Sequence, residues 1–314
     1  MTRSAWTKHG LVLAPDPRVP WMATHAMLPV PSWSGDELWL YVTGRNQDGC
    51  GQVGRCRVEF AGGRPTVTPV GPQPLLSVGP AGAFDDRGAS ASAAVERDGR
   101  LFLYYTGWSL GVTVPFYVFL GLAISDDGGR SFRKVSRAPI LDRSADDPFV
   151  TGHPAVLIEG GVWRMWYVSG SGWRVIDGAP RHDYHIKYAE SSDGVHWHRH
   201  NRVCIDYSSP DEYAIARPWV VRDDRIYRMW YSYRGAAYRI GYAESHDGLA
   251  WQRLDDRVGI DASPEGWDSE MIEYPCVVSA HGREWMFYNG NGFGRTGVGC
   301  ASRPRAMAGS ARRD

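Results

Sequence analysis

The sequence predicts an all-β chain folded as a five-bladed β-propeller with four-stranded antiparallel blades. Three observations predict it. A strand pattern ending in tyrosine recurs five times. The aromatic content is high, with 14 Trp and 16 Tyr, which is typical of repeated β-sheet blades. The fifth copy of the pattern lacks its last strand, and a matching segment stands at the N-terminus.

The recurring strand marks one position in each blade. It ends at five tyrosines whose intervals are 64, 62, 64 and 57 residues, namely Tyr41, Tyr105, Tyr167, Tyr231 and Tyr288. Each interval holds four strands and their turns. In three copies an apolar strand opens with a proline thirteen residues before the tyrosine, at Pro154, Pro218 and Pro275. We expect these strands to be the innermost ones.

Tight turns follow the third strand of the pattern. Ser-Ser-Asp-Gly at 191–194 and Ser-His-Asp-Gly at 245–248 precede a tryptophan, and Ser-Asp-Asp-Gly at 125–128 is a looser copy. Asp-Gly supplies the positive φ angles that a hairpin turn needs. These turns are therefore predicted to be structural, on the face opposite to the functional loops.

The N-terminus is predicted to complete the last blade. Residues 4–8 and 11–13 match the phase of the fourth strand that the fifth copy lacks. Such a closure removes open sheet edges. We expect one domain over residues 1–302 and a flexible C-terminal tail over residues 303–314.

Composition limits the possible partners. The 35 basic and 35 acidic residues cancel, which favours a small-molecule substrate over nucleic acid or an anionic membrane. No segment reads as a signal peptide or a membrane span, and the odd count of five cysteines without a C-x-x-C pair fits a reducing compartment. A cytoplasmic protein of undetermined oligomeric state is expected. No metal-ligand spacing or nucleotide-binding motif is present, so no metal and no cofactor are predicted.

Functional residues are expected on one face. The loops between strands 2 and 3 and those leading into strand 1 share that face, and they carry carboxylates, arginines and aromatic residues. Convergent polar groups with apolar walls describe a small-molecule site.

The hairpins at 188–197 and 242–251, Tyr-Ala-Glu-Ser-x-Asp-Gly-x-x-Trp, and the x-Pro strand openings resemble the five-bladed glycosidases of glycoside hydrolase families 32, 43, 62, 68 and 130. The resemblance covers residues 4–302. It implies a catalytic carboxylate trio, with Asp before Pro on inner strands of the first and third blades and Glu two before Pro in the fourth. This chain departs from that trio, because His153 and Arg217 stand before their prolines and the first blade has no Asp-Pro. A Glu-x-Pro occurs at Glu273, in the fifth blade.

The catalytic candidates are four carboxylates and one histidine: Glu273, Asp147, Glu212, Glu270 and His153. Glycoside hydrolysis uses a protonated and an ionised carboxyl group. Structural alternatives remain open, because Glu273 could pair with Arg217, Asp147 could cap a turn, and His153 could be a satisfied core residue.

The candidates for binding substrate are polar and aromatic residues of the same mouth: His25, Asp86, Arg87, Trp108, Trp173, Arg217, Tyr274, Asn289 and Asn291. An arginine fork there indicates an anionic ligand. The tryptophans could stack on a sugar or cover sheet edges, and the asparagines could belong to turns.

The resemblance and these residues favour a glycoside hydrolase or transglycosylase acting on a sugar-containing small molecule, with or without an anionic group. Two alternatives stay open. One is a biosynthetic enzyme that reuses the glycosidase scaffold for non-hydrolytic chemistry, and the other is a non-catalytic sugar-binding propeller.

Overall fold

The computed structural model describes residues 5–61, 63–176, 178–223 and 226–305, and nearly all of its regular structure is β-strand. The N-terminal strand is β1 (Thr7–Leu13). The next strands are β2 (His25–Ser34), β3 (Glu37–Arg45), β4 (Gly51–Ala61) and β5 (Arg64–Val67). They are followed by β6 (Gly88–Arg97), β7 (Arg100–Leu110), β8 (Phe116–Ser125) and β9 (Arg133–Lys134).

The second half continues with β10 (Thr151–Glu159), β11 (Val162–Ile176), β12 (Ala179–Ser191) and β13 (His198–Ile205). Then come β14 (Ala214–Arg222), β15 (Tyr227–Arg234), β16 (Tyr238–Ser245) and β17 (Gln252–Arg253). The last strands are β18 (Glu273–Ala280), β19 (Arg283–Asn289) and β20 (Val298–Pro304). Within the described residues, the helical segments are single turns at Pro20–Met22, Asp255–Arg257 and Asn291–Gly294. The all-β prediction is confirmed.

Hydrogen bonding joins the strands into antiparallel runs of four. Two eight-stranded sheets each consist of two such runs, linked by a single parallel bridge, Gly51 to Gly88 in one sheet and Tyr184 to Ala214 in the other. A four-stranded sheet has the order β1-β20-β19-β18. We number these runs as strand groups 1 (β2–β5), 2 (β6–β9), 3 (β10–β13), 4 (β14–β17) and 5 (β18–β20 with β1).

The N-terminal strand pairs with the last strand of the chain, as predicted. Thr7 lies opposite Ser302 and Leu13 opposite Val298 in an antiparallel register. The indole nitrogen of Trp6 donates to the carbonyl oxygen of Val258 at 3.0 Å, which ties the N-terminal segment to the loop before group 5. Group 5 therefore obtains its fourth strand from the opposite end of the sequence.

The hydrophobic core lies between neighbouring groups. Adjacent residues of the repeated strand point to opposite faces of the sheet, so Tyr104 packs toward group 3 and Tyr105 toward group 1. The same alternation places Trp166 toward group 4 and Tyr167 toward group 2. Further clusters join group 4 to group 5 and group 5 to group 1. The innermost strands also contact one another in order, and β18 contacts β2.

The Asp-Gly turns of groups 2, 3 and 4 contact the preceding group. In the turn at 191–194, the Asp193 carboxylate accepts backbone N–H groups of Val195 and His196, and Gly194 has a φ of 75°. The Gly194 carbonyl then accepts the hydroxyl of Tyr104, at 2.7 Å. Trp166 donates in the same way to Gly248, also at 2.7 Å. The structural interpretation of these turns is confirmed.

The C-terminal strand extends beyond the predicted domain boundary at residue 302. β20 ends at Pro304, and the buried Arg303 guanidinium donates to Glu284 at 2.7 Å. Residues 306–314 of the predicted tail lie outside the described residues. None of the helices in the described part of the chain is long and apolar enough to cross a membrane.

Candidate functional site

A cavity of about 440 Å³ lies where the first strands of the groups begin. All five groups contribute to its wall. The polar and aromatic residues of the wall include Arg45, Thr106, Trp108, Phe116, His153, His182, Tyr184, Arg234, Tyr238, Tyr274 and Phe293. Trp108, His153 and Tyr274 are predicted site residues.

A repeated backbone bulge aims side chains at the centre of the molecule. Four residues that precede a proline on inner strands have φ between 43° and 55°: Leu28, His153, Arg217 and Tyr274. This left-handed conformation is unfavourable for a residue with a side chain, by about 1–2 kcal/mol. Side chains of neighbouring groups accept the bulge N–H groups, as Thr106 does for His153 at 2.7 Å and Ser232 for Tyr274 at 2.7 Å. The bulge thus holds His153 and Tyr274 in the cavity wall, with their rings stacked at 6.3 Å.

Arg217 occupies the same backbone position but serves the scaffold. Its guanidinium is fully buried and donates to the carbonyl oxygens of Pro29, Ala91 and Ser92, at 2.8–3.0 Å. Burial lowers the pKa of Arg217 to about 10. The side chain therefore crosses from β14 to β2 and β6, and its hydrogen bonds go to the backbone rather than to Glu273 or into the cavity.

Glu273 is a fully buried carboxyl group next to the cavity residue Tyr274. The Asn289 amide lies 3.5 Å from its Oε1, and its Oε2 has no hydrogen-bond partner among the described residues. Burial raises the pKa of Glu273 to about 8, an effect only partly offset by Asn289 and by the charges of Arg234 and Arg45. The group therefore carries a proton through most of the neutral range.

Arg45 and Arg234 bring positive charge to the cavity. They end β3 and β15 and occupy equivalent register positions, opposite the first residues of β2 and β14. The Arg45 guanidinium lies over the ring of Trp108 at 5.7 Å, and that of Arg234 lies over Tyr238 at 5.1 Å. Neither makes an ion pair within the described residues, and the Nε of each lacks a hydrogen-bond partner there.

Aromatic and imidazole groups form the remaining wall. His182 stacks on Tyr184 at 4.1 Å, and Trp173 meets Phe116 edge-on at 5.3 Å behind the lining. Burial lowers the pKa of His182 to about 4 and that of His153 to about 3, with Arg234 and Arg217 adding to the respective shifts. Both imidazoles are therefore neutral at pH 7.

Asp147 belongs to a repeated scaffold motif outside the cavity lining. Its buried carboxylate accepts hydrogen bonds from Ser169, Tyr167, Lys187 and Arg199. Although burial opposes the change, the bond from Ser169 and the charge of Lys187 lower the pKa of Asp147. The same tyrosine–aspartate–lysine arrangement recurs as Tyr105–Asp85–Lys134 and Tyr288–Asp268–Lys8. Both carboxylate oxygens of Asp147 are thus occupied by structural partners.

Glu212 is likewise held by structural partners, although the repeat tyrosine of its group, Tyr231, donates to Asp255 instead. Arg253 donates to both of its carboxylate oxygens, at 2.8 and 3.0 Å, and the Ser208 N–H and hydroxyl add two more bonds. The bonds from Arg253 lower the pKa of Glu212 against the effect of burial. Glu270, in contrast, is exposed and does not line the cavity.

The other predicted binding residues lie around the cavity but outside its lining. His25 pairs with Arg45 in the sheet and contacts Thr24, and burial lowers its pKa to about 4. Asp86 accepts the Gly82 N–H, and Arg87 donates to the Asp48 carbonyl. Asn289 accepts the Leu28 N–H in addition to facing Glu273. Asn291 holds the loop before β18 by accepting the N–H groups of Glu270 and Met271.

Sequence reasoning missed the two cavity arginines, although a signal for them exists. Arg45 and Arg234 follow the repeat tyrosines Tyr41 and Tyr231 within four residues, where the loop between strands 2 and 3 begins.

Within the described residues, no group of three His, Cys, Asp or Glu side chains is arranged to hold a metal ion.

Comparison with known proteins identifies relatives by sequence and by structure. The protein named "Uncharacterized protein Rv1502" from Mycobacterium tuberculosis strain H37Rv is 44% identical over 299 residues, which cover 95% of this chain and 98% of that protein. The "Uncharacterized protein MT1551" of strain CDC 1551 matches equally well, at 44% over 299 residues. No family model matches the chain.

Solved structures share the fold at low sequence identity. A structure named "Glycoside hydrolase" superposes with a TM-score of 0.71 at 17% identity, covering 99% of this chain and 95% of that one. A thermostable family-43 glycoside hydrolase gives 0.64 at 15% identity, with 92% and 91% covered. The Bombyx mori GH32 beta-fructofuranosidase BmSUC1 also gives 0.64 at 15%, with 96% of this chain and 62% of that one covered. The chain therefore belongs to the family of Rv1502, and its fold is that of the propeller glycoside hydrolases.

Proposed function

We propose that this protein is a carbohydrate-active enzyme that binds a sugar-containing small molecule in the cavity, with Glu273 as the proton donor. One observation carries the proposal. Glu273 is a fully buried carboxyl group with a pKa of about 8, its Oε2 has no partner among the described residues, and it directly precedes Tyr274 of the cavity wall. A general acid needs a group that is protonated at neutral pH, and burial of a carboxyl is the usual way to obtain one.

The surrounding residues suit a sugar ring. Trp108 and Tyr274 offer flat apolar surface in the wall, and the neutral His153 adds an imidazole. A sugar has apolar ring faces and a polar rim, so it can stack on aromatic side chains while its hydroxyl groups bond to such a group.

Non-hydrolytic chemistry is the second candidate, and the composition of the lining favours it. No Asp or Glu lines the cavity within the described residues, and Asp147 and Glu212 are occupied by lysine and arginine partners. Ordinary glycoside hydrolysis requires a second carboxyl group near the bond that breaks. We therefore propose transfer or another biosynthetic reaction on the same scaffold as the alternative to hydrolysis.

The site depends on how the strand groups are arranged, and we propose that groups 1 to 5 are the blades of one five-bladed propeller domain. Two observations support this arrangement. The inner strands contact one another in order and β18 contacts β2, and a hydrophobic cluster fills each junction between consecutive groups, including group 5 with group 1. In such a ring the cavity lies on the axis at one face.

The proposed role of Glu273 is tested with the Glu273→Gln variant. The variant keeps the shape of the side chain but cannot deliver a proton, so we expect turnover to fall by about 100-fold or more with folding and saccharide binding retained. Turnover is measured on a panel of aryl glycosides and glycosyl donors, and binding by calorimetry.

Asp147→Asn is the matched control. It removes charge from a carboxylate bonded to Lys187 and Arg199, so it should lower the melting temperature rather than act on the chemical step. Unchanged turnover in Glu273→Gln would exclude Glu273 from the mechanism. Saccharide binding with no turnover on any substrate would point instead to a non-catalytic binding protein.

A further inference from the structure

The two cavity arginines have no acidic partner within the described residues, unlike several basic residues of the scaffold. Lys187 pairs with Asp147, Arg253 with Glu212, and Arg228 and Arg303 with Glu284. Arg45 and Arg234 make no such pair within the described residues, although both lie in the wall of the cavity. Partly buried charges are normally compensated. The unpaired guanidinium groups therefore indicate that the compensating anion is a ligand.

The cavity offers hydrogen-bond donors as well as charge. The Nε atoms of Arg45 and Arg234 are buried without a partner among the described residues, whereas their terminal guanidinium nitrogens are not buried in this way and make no hydrogen bond to the described residues. Stacking on Trp108 and Tyr238 holds the two guanidinium planes in place, which leaves their N–H edges available. Several convergent donors around one space suit a group with several acceptor oxygens.

The number of charges distinguishes between anions. The lining holds two arginines and no carboxylate, and both histidines are neutral at pH 7. A carboxylate has a single charge and two oxygens, and it would leave one guanidinium unpaired. A phosphoryl monoester has a charge of about −1.5 to −2 and three free oxygens, which matches both arginines.

We propose that the cavity binds a phosphorylated sugar, with the phosphoryl dianion held between Arg45 and Arg234 and the sugar ring against the aromatic wall. The proposal deepens the proposed function, because it rests on a sugar ligand in the same cavity. It assigns Arg45 and Arg234 to substrate binding and leaves the proton transfer to Glu273.

Calorimetric titration with four probes tests the proposal: glucose 6-phosphate, glucuronate, glucose and inorganic phosphate. The first three share a hexose ring and carry a dianion, a monoanion and no charge. We expect glucose 6-phosphate to bind more tightly than the other three. Glucuronate binding as tightly as glucose 6-phosphate, or no binding of glucose 6-phosphate at millimolar concentration, overturns the proposal. Equal affinity for glucose 6-phosphate and inorganic phosphate would overturn its sugar component and assign the site to free phosphate.

Arginine variants supply the second test. Arg45→Gln and Arg234→Gln should each weaken glucose 6-phosphate binding about tenfold or more, since each removes charge-assisted hydrogen bonds. The control is Arg100→Gln. Arg100 is an exposed arginine at the start of β7, away from Trp108 near the end of that strand, and it pairs with Asp126. It should bind the probe like the wild-type protein.

Stability separates a binding role from a structural one. Because Arg45 and Arg234 make no ion pair in the described residues and only stack on aromatic rings, their replacement should change the melting temperature of the free protein only slightly. Binding that survives in the double variant overturns the proposal. Binding of glucose 6-phosphate should persist in Glu273→Gln. If Glu273→Gln loses turnover but the protein does not prefer glucose 6-phosphate over the other probes, only this inference is refuted. If the protein prefers glucose 6-phosphate but turns over no substrate, only the enzymatic proposal is refuted.

Discussion

At the scale of single residues, the same backbone bulge serves two different purposes. Leu28, His153, Arg217 and Tyr274 all precede a proline and all have positive φ angles. Leu28, His153 and Tyr274 line the cavity, whereas Arg217 bonds to carbonyl oxygens of two other inner strands. The bulge directs each side chain toward the same region, and the chemistry of the side chain then determines whether it stabilises the scaffold or contributes to the site.

The buried carboxyl group should make stability depend on pH. The pKa of Glu273 rises from its ordinary 4.5 to about 8 in the folded protein. Between these values the folded state retains a proton that the unfolded state has released, so wild-type stability falls relative to Glu273→Gln as pH rises. The expected change is up to about 1.4 kcal/mol for each pH unit of that window. Urea denaturation of both proteins over this pH range measures it.

Asp147→Asn provides the contrast for this titration. The pKa of Asp147 is lowered, so its contribution is complete above its ordinary value of 3.8 and is lost only as pH falls below it. This variant should therefore keep the wild-type slope between pH 5 and 8. A Glu273→Gln protein whose stability parallels that of the wild type across the window would show that Glu273 is ionised in the folded state.

At the scale of elements, consecutive aromatic residues build two interfaces from one strand. In β15, Trp230 packs toward group 5 and Tyr231 toward group 3. The Asp-Gly turn then adds a polar contact, because the Gly248 carbonyl accepts the indole N–H of Trp166. Each four-stranded group is consequently stabilised by both of its neighbours. The same holds for group 5, whose fourth strand is the N-terminal β1.

Deleting residues 1–14 should destabilise the protein strongly. The deletion removes β1, the bond from Trp6 to Val258 and the 2.7 Å ion pair between Lys8 and the buried Asp268. A buried carboxylate that loses its cation costs about 3–5 kcal/mol, and the edge of β20 becomes available for aggregation. Chemical denaturation and light scattering measure the two effects.

Lys8→Met separates the strand from the charge. It preserves the pairing of β1 with β20 but removes the cation next to Asp268. We expect a smaller loss of stability than in the deletion, without aggregation. A truncated protein with unchanged stability would refute the role assigned to the N-terminal strand.

At the scale of the whole molecule, the interfaces form a continuous series. Hydrophobic clusters join group 1 to 2, 2 to 3, 3 to 4, 4 to 5 and 5 to 1. In addition, Arg217 links β14 to β2 and β6 across this series. No group in this arrangement has a core of its own that is independent of its neighbours.

Unfolding should accordingly occur in a single cooperative transition. Tryptophans report on different junctions, with Trp21 between groups 5 and 1, Trp163 between 2 and 3, and Trp230 between 4 and 5. Fluorescence and far-ultraviolet circular dichroism should therefore give coincident denaturation curves. Two separated transitions would mean that the groups fold as independent units, contrary to the proposed single domain.

Much of the fold could be predicted because its signals are local. The repeated aromatic strand, the Asp-Gly turns and the N-terminal match each depend on a few neighbouring residues, and strand alternation and turn chemistry act over that range. The candidate site was only partly predictable. Trp108, His153 and Tyr274 line the cavity, whereas Arg45 and Arg234 were overlooked at the ends of ordinary repeat strands.

The sequence by itself determined the β-class, the repeat, the positions of the turns and the origin of the last strand. Only the tertiary structure decided which charged groups are paired. Glu212 meets Arg253 from 41 positions away, and Arg217 reaches Ala91 from 126 positions away, whereas Glu273 and the two cavity arginines make no ion pair within the described residues. The physical reason is that pairing and burial of a charge depend on which loops and strands of different groups meet in space, and no local pattern encodes that meeting.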